Sequence, residues 1–227
     1  MAKPDTEPAS FYRVIVVGGH TRSIGKTQLV CDLITALPET KFIAGKITQY
    51  GHGVCAQNGE HCGCAPDEHS SAFDWELDAA SGTDSSRFLA AGAQRAFWLR
   101  TKQGYLAEGM PLLRQAFAEL STQKDLPAVN VLIESNSLLQ FLKPALYVTV
   151  LDPGKDDFKP TAQSLLDRSD VFLLRDEFPN AASPWPQISS KLLQGKPSFL
   201  QREGYAVPAG LCKMVSKALA LPATQRI

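Results

Sequence analysis

The sequence lacks two features that would assign it to broad classes of protein: an excess of charge of one sign and a long hydrophobic run. Its 227 residues carry 23 basic and 23 acidic side chains, so the formal net charge is zero. Balanced charge gives no general attraction for nucleic acid or for an anionic membrane surface. Apolar runs such as YVTVL and VFLL are far shorter than the roughly 20 residues of a membrane-spanning helix. Nucleic acid and membrane are therefore not predicted partners.

A hydrophobic signal core is also missing from the opening stretch, MAKPDTEPAS, which is polar. We predict a cytoplasmic protein with a flexible N-terminus over residues 1–10. Apolar residues make up 44% of the chain, which is what a packed core requires, and the length suits one large domain or two small ones. We predict a single nucleotide-binding domain over residues 1–227. A homodimer is among the assemblies that the sequence allows.

Short β-branched runs alternate with helical stretches, the pattern of a parallel sheet covered by helices on both faces. The run YRVIVVGG predicts a first buried strand, and KTQLVCDLITAL predicts an amphipathic helix after it. Further strands are predicted at KFIAGKITQY, residues 97–100, VNVLIES, ALYVTVLD, DVFLLRD and PSFLQ. Further helices are predicted to begin at SSRFLAAGA and to cover residues 110–120, 161–167 and the stretch PAGLCKMVSKALAL.

Between the first strand and helix lies VVGGHTRSIGKTQLV, a phosphate-loop pattern whose spacing is shifted by one residue. In the standard pattern a glycine is followed by four residues and then by Gly-Lys-Ser/Thr. Gly25, Lys26 and Thr27 match, but His20 stands where the first glycine belongs, and Gly19 precedes it. A strand before the loop and a helix after it distinguish this motif from a chance Gly-Lys-Thr turn. We therefore predict a P-loop NTPase-like α/β fold with a mainly parallel sheet.

In such a loop the backbone N–H groups hold phosphate oxygens, the lysine reaches the outer phosphates and the hydroxyl binds Mg²⁺. His20, Thr21 and Arg22 are expected on the outer arc of the loop, with the arginine either reaching a phosphate or facing solvent. The predicted nucleotide ligands are Gly19, His20, Thr21, Arg22, Ser23, Ile24, Gly25, Lys26, Thr27 and Gln28.

Four stretches occur in an order similar to the molybdopterin-guanine dinucleotide biosynthesis protein B family: GKTQLVCDLITAL, IAGKITQYGH, GTDSSRFLAAGA and VLIESNSLL. That family consists of P-loop proteins that bind GTP and act beside the enzyme that attaches a nucleotide to the molybdenum cofactor. The resemblance covers residues 14–151, apart from a cysteine-rich insertion that is foreign to the family. It implies an α/β P-loop fold. The residues here that match the family pattern are Lys46, His52, Asp84, Ser85, Arg87, residues 91–93 and Glu134.

The Asn-Lys-x-Asp motif with which many P-loop GTPases bind guanine is absent. The corresponding place holds LLRDEF, residues 173–178, which contains no asparagine. Without that amide the guanine edge loses a hydrogen-bond partner. The predicted ligand is therefore ATP or GTP, with another phosphorylated ligand as the alternative.

Two carboxylates are candidates for work on Mg²⁺ and phosphoryl transfer. Glu134 ends the strand VNVLIE, and ligands of open α/β sheets bind at the carboxyl ends of the strands. Its other interpretation is that it caps the turn ESNS. Asp84 is a candidate through the resemblance, although GTDSSRF also fits a helix N-cap. We predict Thr27 and Glu134 as magnesium ligands, and Lys26, Glu134 and Asp84 as catalytic residues.

A Cys/His-rich insertion is predicted over residues 51–83, with three cysteines in a C-x6-C-x-C spacing. Three thiolates and an imidazole make a tetrahedral zinc set, and thiolates also suit an iron-sulfur cluster. The paired C-x2-C elements of common zinc sites are absent, and reduced cysteines in a surface loop are the alternative. The predicted ligands of zinc or of an iron-sulfur cluster are Cys55, Cys62, Cys64 and His69. The isolated Cys31 and Cys212 are predicted to be small buried apolar residues.

Together these features predict a magnesium-dependent nucleoside triphosphate-binding protein, either a slow NTPase or a small-molecule phosphotransferase, with a metal-binding cysteine loop. The alternative is a nucleotide-dependent adaptor or metallochaperone in cofactor or metal assembly. In the first case the cysteine loop holds a small-molecule substrate, and in the second it docks on a protein partner. A third alternative is a loop that binds phosphate or sulfate without turnover.

Overall fold

Eight strands form one sheet in the part of the chain that the computed structural model describes, residues 12–50, 70–121, 130–178 and 183–220. The strands are β1 Arg13–Gly19, β2 Phe42–Tyr50, β3 Ser71–Glu76, β4 Arg95–Lys102, β5 Asn130–Glu134, β6 Leu146–Leu151, β7 Val171–Leu174 and β8 Ser198–Leu200. Their spatial order is β3-β4-β2-β5-β1-β6-β7-β8, and only the pairing of β3 with β4 is antiparallel. The predicted mainly parallel α/β fold is confirmed.

The helices cover both faces of this sheet. They are α1 Lys26–Ala36, α2 Asp84–Ala90, α3 Leu106–Ser121, α4 Pro160–Gln163, α5 Ser190–Leu193 and α6 Ala209–Ala220. Apolar side chains of α1, α2 and α6 pack on one face of the sheet, and those of α3 pack on the other. No helix among the described residues is both long and apolar enough to span a membrane.

Strand β1 shows why the strands read as continuous apolar runs. Ile15 and Val17 belong to the core under α1 and α6, whereas Val14 and Val16 belong to the core under α3. Because both faces of a parallel sheet are covered, alternation of apolar and polar residues is not required. The N–H and C=O groups of β1 pair with β5 on one side and β6 on the other, so β1 lies in the middle of the sheet.

Strand β3 lies within the predicted Cys/His-rich insertion over residues 51–83, a stretch in which the sequence predicted no strand. Residues 71–76 are an edge strand that pairs antiparallel with β4, and they are not part of a long loop. Phe73 stacks on the Phe97 ring at 5.3 Å between centroids, and Trp75 packs edge-on against the same ring at 6.0 Å. The sequence did not predict this strand because its polar residues alternate with the aromatic ones, so that only one face of the strand is apolar. Strand β4 and helix α3 also begin earlier than predicted, at Arg95 and Leu106.

The carboxyl ends of the parallel strands bring polar side chains to one edge of the sheet. Val17 of β1 is in register with Glu134 of β5, and Glu134 is in register with Lys46 of β2. Lys46 is in turn aligned with Trp98 of β4. The loop between β1 and α1 begins at this edge, where open α/β sheets bind their ligands.

Candidate nucleotide site

The loop between β1 and α1 turns sharply through residues 20–25. Gly25 is the N-cap of α1 and has a left-handed backbone, with φ of 81°, and Ser23 also has a positive φ of 51°. Glycine adopts this conformation without steric cost and has no side chain to cover the helix end. The first N–H groups of α1 are therefore free of a side-chain cap, which is the arrangement that binds phosphate at a helix N-terminus.

Two glycines before the loop allow close packing: Gly18 admits Asn136, which follows β5, and Gly19 admits Ile24. A Cβ on Gly18 would lie 2.1 Å from the Asn136 Oδ1 atom, and a Cβ on Gly19 would lie 2.7 Å from Ile24 Cδ1. The Asn136 amide accepts a hydrogen bond from the Gly19 N–H at 2.9 Å and donates one to the Gly19 carbonyl at 2.8 Å. Asn136 therefore clamps the start of the loop. Sequence reasoning missed this role, although the polar run ESNS after a buried strand is a usable signal.

His20 and Thr21 are buried, so the prediction that they lie on the outer arc of the loop is wrong. The Asp152 N–H donates to His20 Nε2 at 3.1 Å, so the ring proton is on Nδ1, which donates to the Asp157 carbonyl at 2.9 Å. Burial lowers the pKa of His20, in agreement with a neutral ring. Arg22 and Ser23 are the exposed residues of the arc.

The segment after β6 holds the outside of the loop. The Thr21 hydroxyl donates to the Asp157 carboxylate, and the Lys159 N–H donates to the His20 carbonyl at 2.9 Å. The His20 ring also contacts Phe158 and Trp185, with centroids 5.1 Å and 4.7 Å away. A histidine in the position of the first glycine is therefore accommodated by packing inward.

Cationic side chains lie close together around the loop. The Lys26 ammonium donates to the Thr21 carbonyl at 2.6 Å, and burial lowers its pKa while Glu134 opposes that shift. Burial, followed by repulsion from Lys26 and Arg22, lowers the pKa of Lys159 to about 8. An anion placed among these groups relieves that repulsion, as phosphate oxygens do.

Thr27, Glu134, Lys46 and Asp84 meet at the other side of the loop. The Thr27 hydroxyl donates to Glu134 Oε2 at 2.7 Å. The Lys46 ammonium lies 3.4 Å from Glu134 Oε1 and also pairs with the Asp84 carboxylate. Although burial opposes the charged form, these two carboxylates together raise the pKa of Lys46. Thr83 supplies the N-cap of α2 by accepting from the Ser86 N–H, which leaves Asp84 to face Lys46.

The oxygen atoms in this cluster fit a magnesium ion. A hydroxyl and a carboxylate are hard ligands, and Mg²⁺ in nucleotide sites uses one or two protein oxygens together with phosphate oxygens and water. Thr27 and Glu134 supply those two oxygens within hydrogen-bond distance of each other. Neither in this cluster nor elsewhere in the ranges that the structure describes are three or more His, Cys, Asp or Glu side chains grouped to hold a metal by themselves.

Arg175, directly after β7, ties the loop to the far side of the sheet. Its guanidinium donates to the carbonyls of Ile24 at 3.0 Å and Gly25 at 2.6 Å, and to the Gln201 side-chain oxygen at 3.1 Å. The Gln201 amide donates in turn to Asp32 of α1 at 2.7 Å. Arg175 lies in the stretch LLRDEF, which occupies the place of the guanine-binding motif but lacks its asparagine. Nothing in that stretch predicted a contact with the loop.

The predicted thiolate ligands Cys55, Cys62 and Cys64 and the predicted imidazole ligand His69 lie outside the described residues. The residues on either side, Tyr50 and Ser70, are near each other beside the end of β4. Tyr50 is in register with Lys102, and the Lys102 N–H donates to the Ser70 carbonyl at 2.8 Å. Cys31 is buried and Cys212 is half-buried, and burial raises the pKa of the Cys31 thiol to about 11.

The sheet is followed by a loop with a left-handed glycine, a lysine at the start of α1 and the Thr27–Glu134 pair, so the fold is an α/β fold of P-loop NTPase-like form. No protein-family model matches the chain, and no curated protein matches it. The resemblance to the molybdopterin-guanine dinucleotide biosynthesis protein B family therefore rests on short motifs alone.

Two solved structures are similar to this chain in fold. One is the "apo" form of LpxK from Aquifex aeolicus in complex with ATP, with 15% identity, a TM-score of 0.43, and 83% of this chain and 53% of LpxK covered. The other is HypB from Helicobacter pylori in complex with nickel, with 13% identity, a TM-score of 0.46, and 92% and 83% covered. This chain spans about half the length of the LpxK chain.

Proposed function

We propose that this protein binds a nucleoside triphosphate together with Mg²⁺ at residues 19–28 and catalyses loss or transfer of its terminal phosphoryl group. The observation that carries the proposal is the 2.7 Å contact between the Thr27 hydroxyl and the Glu134 carboxylate, beside Lys26. A lysine, a hydroxyl and a carboxylate at a helix N-terminus are the groups that phosphoryl transfer requires for positioning and for charge neutralisation.

Lys26 has the central role in binding phosphate. Its ammonium donates to the Thr21 carbonyl, so it spans the loop where the phosphate oxygens would sit. When the triphosphate binds, the ammonium exchanges this carbonyl for phosphate oxygens and stays charged. Lys159 and Arg22 add positive charge on the outer side. The N–H groups at the start of α1 hold the inner phosphates.

Thr27 and Glu134 would hold the magnesium ion, and Lys46 keeps its partner Asp84. When bound, Mg²⁺ neutralises charge that develops on the phosphate oxygens. The Lys46 ammonium lies 3.4 Å from Glu134, so it fixes the carboxylate orientation from the side away from the hydroxyl. Asp84, with 30% of its side chain exposed, is the carboxylate of this cluster that an incoming nucleophile reaches.

ATP and GTP both remain ligands under this proposal. The Arg175 guanidinium is engaged by the loop carbonyls and by Gln201, so it positions the loop and does not select a base. A competition experiment between MgATP and MgGTP on the full chain determines the preferred base.

The experiment that tests the proposal is release of inorganic phosphate from MgATP and MgGTP, with and without EDTA. Glu134→Gln is expected to raise the Mg²⁺ concentration needed for half-maximal phosphate release by at least about tenfold, because loss of a residue that only supports a metal ligand already costs about 10–100-fold. Glu39→Gln changes the same charge on an exposed turn and should match the unaltered protein. Hydrolysis that is equal with and without Mg²⁺, or equal in both variants, contradicts the proposal.

For the cysteine-rich segment we propose zinc or an iron-sulfur cluster at Cys55, Cys62, Cys64 and His69, on the strength of the sequence pattern. Metal analysis of the purified full chain, with its visible absorption spectrum, separates the two. Zinc without absorption supports a zinc site, and absorption with iron supports a cluster. Neither metal at a stoichiometric level contradicts the proposal.

A further inference from the structure

A pocket of about 310 Å³ lies beside the nucleotide site, at the end of the sheet formed by β3 and β4. Its volume is near the lower limit for small-molecule sites, about 300 Å³, and suits a ligand of monosaccharide size. The lining residues are Asp74, Trp75, Glu76, Ser85, Trp98 and Arg100.

Strand register shows that this pocket adjoins the reacting end of the nucleotide. Glu134, Lys46, Trp98 and Asp74 stand side by side on β5, β2, β4 and β3. Neighbouring strands are about 4.8 Å apart, so the row leads from the magnesium-binding carboxylate to the pocket in three steps. Ser85 lines the pocket and directly follows Asp84, which pairs with Lys46. The N-terminus of α2 therefore borders both sites.

The charges that line the pocket are compensated within it. The Arg100 guanidinium pairs with Asp74 and lies over the Trp98 ring, 4.8 Å from its centroid. The Trp98 ring is held in place because its Nε1–H donates to the Thr48 hydroxyl at 2.8 Å. These paired charges therefore give little attraction for a charged ligand.

Glu76 is compensated by hydroxyl groups. One of its carboxylate oxygens accepts hydrogen bonds from Thr83 at 2.6 Å, Ser85 at 2.9 Å and Ser81 at 3.1 Å. Burial opposes the ionised form, but the hydrogen bonds outweigh it and lower the pKa of Glu76. The pocket thus combines an indole wall with hydrogen-bonding groups of balanced charge. Ring C–H groups pack against an indole, and hydroxyl groups bond to carboxylate and guanidinium, so these walls match a neutral polyhydroxylated ring.

We propose that the pocket lined by Asp74, Trp98 and Arg100 binds a neutral, polyhydroxylated small molecule of monosaccharide size, which accepts the terminal phosphoryl group. This step rests on the proposed nucleotide function. One acceptor hydroxyl lies toward Asp84 and the magnesium-binding Glu134. Its oxygen forms a bond to the terminal phosphorus, the bond from that phosphorus to the bridging oxygen breaks, and the nucleoside diphosphate leaves. The hydroxyl proton passes to the Asp84 carboxylate.

Saturation-transfer NMR on the full chain, with glucose, N-acetylglucosamine, ribose and myo-inositol as separate probes, tests binding without nucleotide. We expect at least one probe to bind, with affinity reduced by at least about tenfold, or 1.4 kcal/mol, in Trp98→Ala. Asp74→Ala is a second variant, because this side chain is 61% exposed and its removal does not disturb the core. Tyr105→Ala removes an exposed aromatic residue that does not line the pocket and should bind as the unaltered chain does.

The outcomes separate this inference from the nucleotide proposal. Binding of a probe that both pocket variants weaken, followed by formation of its phosphate ester from MgATP or MgGTP, supports the inference. Failure of all four probes to bind, or equal binding in Trp98→Ala and Asp74→Ala, overturns it, even when the nucleotide still binds. If a probe binds at the pocket but the chain binds neither nucleotide, the acceptor role and the proposed function both fail, whereas the pocket assignment holds.

Discussion

The Arg175 guanidinium donates a 2.6 Å hydrogen bond to the carbonyl of Gly25, a residue 150 positions earlier in the chain. The contact joins the residue after β7 to the turn that begins α1. A residue at the end of a distant strand thus holds the backbone of the loop where α1 begins.

Replacement of Gly25 by alanine should damage the loop more than left-handed strain alone explains. A Cβ at Gly25 would lie 2.5 Å from the Arg175 Nη2 atom, and the backbone φ is 81°. Gly195 has a similar φ of 78°, but none of the described residues brings an atom within 4 Å of the place where its Cβ would lie. We expect Gly195→Ala to cost about 1–2 kcal/mol of unfolding free energy, and Gly25→Ala to cost more. Urea unfolding measures both, and equal losses contradict the role of Arg175.

Loss of the Asn136 side chain should weaken nucleotide binding as well as stability. Asn136→Ala leaves the N–H and the carbonyl of Gly19 without their partner, and each unsatisfied buried group costs about 1–3 kcal/mol. Asn130→Ala removes a hydrogen bond to the Thr40 carbonyl, far from the loop, and serves as the control. Calorimetric titration with MgATP should show weaker binding only for Asn136→Ala. Unchanged affinity in that variant argues against a clamped loop.

His20 should make the protein less stable in mild acid. Burial lowers the pKa of His20 in the folded chain below the ordinary 6.5. As pH falls below about 6.5, the unfolded chain therefore binds a proton before the folded chain does, and the free energy of unfolding decreases. Stability from this group is complete above that pH and is lost as pH falls. The urea midpoint of unfolding should decrease more between neutral and mildly acidic pH in the unaltered chain than in His20→Asn. An equal decrease in the two proteins contradicts a buried, neutral His20 ring.

Nucleotide binding should take up a proton near pH 8 through Lys159. The pKa of its amino group is about 8 before binding, because burial and the nearby Lys26 and Arg22 disfavour the charge. A triphosphate favours the charged form, so binding raises that pKa and the group gains a proton. Calorimetry in two buffers of different ionisation enthalpy measures the uptake. The proton uptake should decrease in Lys159→Met and stay the same in Lys155→Met, which changes an exposed lysine and serves as the control. Unchanged uptake in Lys159→Met contradicts a position of Lys159 near the phosphates.

Local patterns in the sequence predicted the parallel strands and the end of the loop at Gly25, Lys26 and Thr27, where α1 begins. Thr27 and Glu134 were predicted from a motif and from the end of a buried strand, and the structure brings the two together. Such residues can be identified from the sequence because each stands directly at the end of a predicted strand or the start of a predicted helix.

The contacts that depend on strand order were beyond the sequence. Arg175 and Asn136 reach the loop only because β7 and β5 occupy particular places in the sheet, and strand order is not encoded in periodicity. The inward position of His20 depends on Trp185, which comes from a late loop. Strand β3 was missed because a short edge strand with one apolar face resembles a polar loop in composition.

Equilibrium binding of MgATP and MgGTP to the full chain, compared between Lys26→Ala and Lys213→Ala, determines whether the loop between β1 and α1 binds nucleotide. Both changes remove one positive charge, but Lys26 lies in the loop and Lys213 is exposed on α6. We expect Lys213→Ala to bind as the unaltered chain does. Lys26→Ala should lose about 2–3 kcal/mol of binding free energy, a decrease in affinity of about 30-fold or more, because a charge-assisted hydrogen bond to phosphate is removed. Equal affinities in the two variants would contradict a nucleotide site at this loop.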